Sequence, residues 1–196
     1  MAVRLEGAIE LRKALRKFSP DLAKQLDKEM RIALKPVVAE ARGYLPAEGS
    51  VLTNWQSVNK SETAKWTNRY YDFAAARRGI KYKIAPSKTN RQGFKALASI
   101  LNTSAAGAIF ETAGRKNPWG QPHNKQGNNR SSRSNNPYAG RNFIAAANAL
   151  SPLAGSGNDK GRLIYRAFEN DRGKAQDGVI RAIEKAAALF QKATAA

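Results

Sequence analysis

The chain has 196 residues, the length of one ordinary domain or of one domain carrying a long insertion. Hydrophobic residues make up 42% of it and charged residues 25%, ordinary proportions for a soluble protein with a core to bury. The charge balance is not ordinary: 34 basic side chains stand against 15 acidic ones, a formal net charge of +19. The absence of cysteine excludes disulfides, zinc ribbons and thiol nucleophiles.

No run of apolar residues approaches the roughly 18 that a membrane helix needs, so no membrane partner is expected. Met1 to Glu6 carries its first charges with no apolar run behind them, so no secretory leader is expected either.

The basic surplus is concentrated. Residues 1–72 hold 13 basic and 9 acidic side chains, and residues 159–196 hold 8 and 5. The 86 residues between Asp72 and Asp159 hold 13 basic side chains and a single acid, Glu111. Like charges at that density repel, and a polyanion or an acidic protein surface offsets them. The plainer explanation is a solvated face kept basic for solubility.

In chain order, Leu5, Ala8, Ile9, Leu15 and Phe18 mark a short amphipathic helix, with Arg12, Lys13, Arg16 and Lys17 on its other faces. Ser19-Pro20-Asp21 reads as a helix start, with a capping hydroxyl, proline at the first helical position and an acid beside the positive dipole end. Leu22, Leu26, Met30, Ala33, Leu34, Val37 and Ala41 then recur at three- and four-residue steps over about residues 20–43. Pro36 is expected to kink or break that helix locally, and Gly43 and Pro46 to end it.

The stretch Val51 to Val58 is ambiguous. Ser61 can cap another helix that places Trp66, Tyr70 and Phe73 on one side and closes at Gly79. Those aromatics are either a stacking surface for bases or core, and helical spacing favours core. Ile80, Tyr82 and Ile84 alternate with Lys81 and Lys83, the pattern of a half-buried strand with a basic open face. Pro86 to Gly93 reads as a polar basic loop and Phe94 to Leu101 as a second strand, able to pair with the first as a hairpin. Ala105 to Thr112 is a short apolar helix or strand stopped by Gly114.

From residue 115 to 140, Asn, Ser, Gly, Pro and basic residues dominate. So polar a segment cannot bury enough surface to offset its ordering entropy, and it is expected to form an extended or mobile basic arm. Arg115, Lys116, Lys125, Arg130, Arg133 and Arg141 are its candidate contacts to a partner or to DNA. Apolar character returns from Phe143 to Leu150, and Ser151 to Lys160 reads as a flexible turn. Leu163 to Phe168 leads to a last helix with Val179, Ile180, Ile183, Ala187 and Phe190 on its buried face, weakened at the start by Gly173 and Gly178.

Catalytic patterns are missing. The sole histidine, His123, sits in the polar arm with no second histidine or cysteine to complete a transition-metal set. No serine lies in a nucleophile elbow and no glycine loop resembles a phosphate cradle. The N-terminal acids stand beside lysines and arginines as ordinary helix-surface pairs. No enzymatic activity and no cofactor are expected. Glu111, alone among cations, is either a buried partner for an arginine or an interface contact.

The order of elements resembles a known group. A long helix runs into Ala41-Arg42-Gly43-Tyr44-Leu45-Pro46, then a glycine turn and Leu52. This is similar to the opening of the small tail-completion proteins of long-tailed phages (the minor tail protein Z-like, head–tail joining group). Ile109-Phe110-Glu111-Thr112-Ala113-Gly114 resembles the apolar-Glu-aromatic-Gly segment of that group, with alanine where an aromatic or glycine is commoner. Two places resemble the start of its last helix: Arg141-Asn142-Phe143-Ile144-Ala145 and Arg166-Ala167-Phe168. Pro36, the block at 61–78 and the doubled last motif depart from the pattern.

The resemblance implies an α+β fold, with long N-terminal helices and a C-terminal helix packed on a small antiparallel sheet. It implies a virion protein made in the host cytoplasm. There it would assemble as a homo-oligomeric ring, six-fold, at the head–tail interface beside the tail terminator, the head–tail stopper or adaptor, and the tail tube. A cationic channel wall would add friction to moving DNA, so the basic arm is expected on the outer face or at a protein interface. Contact of its arginines with the genomic DNA end is the other arrangement. The alternative function is a nucleic-acid-binding protein that uses region 73–158, with Trp66, Tyr70 and Trp119 stacking on bases.

Overall fold

The computed structural model describes residues 7–47, 71–89, 91, 93–118 and 137–194. Among them the chain forms seven α-helices, a one-turn 3-10 helix at Gly157–Asp159 and a two-stranded antiparallel sheet. This is the expected α+β class. Contacts divide the chain into two units: residues 1–39, 81–101 and 171–196, and residues 40–80 and 102–170.

The first unit is built on apolar stripes. Helix α1 (Ala8–Phe18) turns at Ser19 into α2 (Pro20–Gly43), whose first turn carries Asp21. The last helix, α7 (Lys174–Thr194), joins them in a core of Leu15, Ala23, Leu26, Met30, Ala182, Ile183 and Ala186, flanked by Ile84, Leu97 and Ala98. Burying each of the larger side chains contributes about 1.5–3 kcal/mol. Gly178 serves this packing, because a Cβ there would stand 2.8 Å from the Ala33 Cβ. It is a point of close approach between α7 and α2 rather than a flaw in α7.

Proline does not break α2. Pro36 lies on its exposed face, one turn after the exposed Ile32. The carbonyl that loses its partner therefore faces solvent, which replaces the bond and leaves the helix continuous. One polar brace crosses the apolar core. Arg12, 2% exposed, donates Nε to Asp27 Oδ1 (3.0 Å), and Nη2 to Asp27 Oδ2 (2.9 Å) and to the Ile84 carbonyl (2.9 Å).

In the second unit Asp72 caps α3 (Phe73–Gly79) by accepting from the Ala75 N–H at 2.9 Å. The expected helix from Ser61 to Gly79 is corrected: Asp72, extended, starts α3 afresh, α3 closes at Gly79 as expected, and residues 61–70 lie outside the described residues. Strand β1 (Ile80–Lys83) follows, its residues 81–83 belonging to the first unit, with Ile80 buried and Lys81 and Lys83 exposed as the alternation predicts.

Its partner β2 is Ser99–Asn102, shorter than the expected 94–101. Residues 94–98 are held differently: the Ser87 N–H donates to the Ala96 carbonyl (2.8 Å) and the Ala96 N–H to Ser87 Oγ (2.9 Å). A side-chain acceptor has replaced one rung of the ladder, and the strand ends there.

Helix α4 (Ala105–Thr112) is capped by Ser104 Oγ and packs against α3. Helix α5 (Ala139–Leu150) starts inside the expected polar arm, and α6 (Ile164–Asp171) precedes a turn in which Arg172 and Gly173 both take positive φ. Residues 119–136 of the arm lie outside the described residues. No described helix is long and apolar enough to cross a membrane.

Candidate functional site

The chemistry of the second unit gathers where α4 ends and α6 begins. Ala154 and Gly161 exchange two backbone hydrogen bonds of 2.9 Å. This clip aims Arg162 back into the unit, where it is fully buried. Its Nη1 donates to the carbonyls of Phe110 (3.0 Å) and Ala113 (2.6 Å), and its Nη2 to Asn148 Oδ1 (2.7 Å). Phe110 and Ala113 stand at the C-terminal end of α4, where carbonyls lack helical partners and partial negative charge collects. Arg162 therefore caps α4, and burial pulls its pKa down to about 10.

Glu111 performs the mirror task. It is 5% exposed and accepts from the N–H groups of Leu163 (2.7 Å) and Ile164 (3.1 Å) through Oε2, and of Tyr165 (3.1 Å) through Oε1. Those are the orphan donors at the start of α6, where a carboxylate is best placed. Burial pushes its carboxyl above the ordinary glutamate range, against the downward pull of the three N–H groups and of nearby Arg115.

A bulkier residue at 161 would displace this clasp, since a Cβ there would collide with the Glu111 carboxylate and the Tyr165 ring. Ser151 tightens the joint by donating Oγ–H to the Arg162 carbonyl (3.0 Å) and accepting from Arg166 Nη1 (2.9 Å). The Arg166 guanidinium also lies 4.3 Å from the centre of the Tyr44 ring.

A cleft of about 670 Å³ opens beside this joint, lined among others by Ile109, Gly114, Arg115, Lys116, Phe143 and Ile144. Gly114 makes its floor possible: it takes φ +79, and a Cβ there would stand 2.8 Å from Ile144 Cγ2. Arg115 is half-buried, its guanidinium 4.8 Å from the centre of the Tyr165 ring, while Lys116 is exposed.

Of the sequence-selected residues, Glu111, Arg115 and Lys116 come together at the end of α4. Arg141 stands exposed near the start of α5. Lys125, Arg130 and Arg133 lie outside the described residues, as do His123, Trp66, Tyr70 and Trp119. Glu111 is buried and makes no arginine salt bridge among the described residues; its partners there are the backbone N–H groups at the start of α6. Arg162 was missed. It looks in the sequence like one more cation in a basic chain, and only Gly161 before it hints at a tight approach. Among the described residues no group of three or more His, Cys, Asp or Glu could hold a metal ion.

No protein-family profile matches this chain, and neither the curated proteins nor the solved structures contain a match.

Proposed function

We propose that this chain is a structural virion protein of a tailed bacteriophage, a subunit of a homo-oligomeric, six-fold ring. In this reading the ring completes the tail or joins it to the head, at the neck. Its neighbours are other virion proteins (the tail terminator, the head–tail stopper or adaptor, the tail tube), and contact with the genomic DNA end is the other arrangement open to its basic region. The observation that carries the proposal is the fate of Glu111. The only acid among the 13 cations of region 73–158 is buried and committed to the start of α6. It offers no counter-charge to the surface of that region, so offsetting the field falls to an acidic neighbour.

Two further features support the assignment. Gly114, which closes the segment similar to the group's apolar-Glu-aromatic-Gly motif, packs on Ile144. It thereby meets Arg141-Asn142-Phe143-Ile144-Ala145, one of the two candidates for the start of the group's last helix. The joint at Glu111 and Arg162 also occupies the motif's acid with fold maintenance, as suits a structural role.

The same field also suits nucleic acid, the second reading, with region 73–158 as the binding surface. Light scattering at low and high salt, with and without short duplex DNA, separates the two. A salt-resistant oligomer, or a monomer indifferent to DNA, supports the virion reading. Tight DNA binding by a monomer that collapses by roughly 10³-fold or more over a modest rise in salt overturns it.

A further inference from the structure

The cleft at the end of α4 combines two chemistries. Its floor and one wall are apolar, from Ile109, Phe143 and Ile144, and Ile109 remains an exposed large hydrophobic residue. Its lip carries Arg115 and Lys116. The Nε and Nη2 atoms of Arg115 are buried and have no hydrogen-bond acceptor among the described residues, a cationic edge without its acceptor and of a kind matched in shape to a carboxylate.

Three observations favour an acidic visitor over a neutral one. The α4 carbonyls at this end, which would repel an anion, are already held by Arg162. Glu111, the nearest carboxylate, is committed to α6 and does not pair with Arg115 as a salt bridge among the described residues. Residues 119–136, which separate the two walls in the sequence, contain Lys125, Arg130 and Arg133 and no acid. They match the lip in sign and have no carboxylate to offer it.

We infer that the cleft is a docking site for a short segment of another protein that presents a carboxylate to Arg115 and Lys116 and a bulky apolar side chain to Ile109, Phe143 and Ile144. The volume, about 670 Å³, suits a few residues of peptide, within the ordinary range for ligand pockets. The apolar floor separates this partner from a nucleic-acid backbone, which has nothing to place there. The inference stands on the cleft alone and does not need the ring.

Selection from a displayed library of random heptapeptides on the full chain tests it. The expected binders pair an aspartate or glutamate with a neighbouring leucine, phenylalanine or tryptophan. Binding of the synthesised consensus peptide falls about tenfold in Lys116→Glu and in Ile109→Ser. Both residues are exposed, and both variants should keep the wild-type circular dichroism. Lys88→Glu, a charge reversal outside the cleft, leaves affinity unchanged, and short duplex DNA does not compete.

Three results overturn the inference: binders without an acid, a consensus peptide that binds Lys116→Glu as well as it binds the wild type, or displacement of that peptide by DNA. A loss of binding equal in Lys88→Glu and Lys116→Glu marks a diffuse charge effect and overturns it as well. None of these results bears on the oligomeric state, so the two proposals fail separately.

Discussion

Among the described residues each unit buries one arginine, and the two solve the same electrostatic problem differently. In the first unit Arg12 meets a carboxylate, Asp27, which keeps 20% of its side chain in solvent. In the second, Arg162 meets no carboxylate in a salt bridge among the described residues and is neutralised by carbonyls at the end of α4. Its nearby carboxylate, Glu111, is neutralised in turn by the N–H groups that open α6. Helix ends thus take the place of counter-ions. A charge held in this way depends on backbone geometry over a long sequence separation, whereas Arg12 and Asp27 need only two neighbouring helices.

The largest expected consequence is at Arg162. Arg162→Ala leaves three acceptors without their donor inside a closed site and should cost roughly 3–5 kcal/mol in denaturant unfolding. Arg12→Ala should cost less, about 1–3 kcal/mol, because solvent already reaches Asp27. Equal losses in the two variants would break the comparison, showing that helix-end carbonyls hold a guanidinium no more critically than a half-exposed carboxylate does.

Glu111→Gln sharpens it. Placing an amide against N–H donors should cost about 2 kcal/mol, and the pH dependence carries a sign. Glu111 has a folded-state pKa above its ordinary 4.5. Its contribution is therefore fully present below 4.5 and is lost as pH rises through the folded value. The deficit of the glutamine variant should shrink as pH climbs above 4.5, and a deficit that grows instead would contradict the burial of the carboxyl.

Glu29 in the first unit is the counter-example with the smallest effect. The hydrogen bond from Lys185 Nζ at 2.8 Å holds its carboxyl below the ordinary range, so the sign reverses. This stability is present above 4.5 and is lost as pH falls through the lowered value. The pair faces solvent, with Lys185 58% exposed, so Lys185→Ala should cost under about 1 kcal/mol. Unfolding curves at neutral and acid pH read both slopes.

The first unit was the more legible in the sequence because its order is carried by periodicity. Leu22, Leu26, Met30 and Ala33 announce their helix at three- and four-residue steps, and Ser19-Pro20-Asp21 announces its start. Ile80 to Lys83 likewise shows its strand by alternation. The joint in the second unit has no period. Apart from Gly161, nothing near Arg162 in the chain distinguishes it from the surface cations, since the two carbonyls it caps lie 49 and 52 residues away.

The isolation of Glu111 among cations was a usable signal, and burial was one of the outcomes it pointed to. Its partner was not foreseen, because backbone N–H groups have no letter in a sequence. The cleft was half legible: Arg115 and Lys116 stood out by charge, but the apolar wall depends on Gly114 letting Ile144 approach.

Gly161 leaves a trace that can be searched for. The carboxylate of Glu111 lies where a side chain at 161 would have to be, and Arg162 next to it caps the C-terminal end of the short helix that carries Glu111. Glutamate, glycine and arginine therefore constrain one another as a set: a lineage that keeps the glutamate clasp must keep the glycine, and one that loses the arginine must recap α4. Divergent relatives that share too little identity to align would still carry this three-letter fingerprint. It consists of a glutamate near the end of a short apolar helix and a Gly-Arg pair about fifty residues later, just before the next helix.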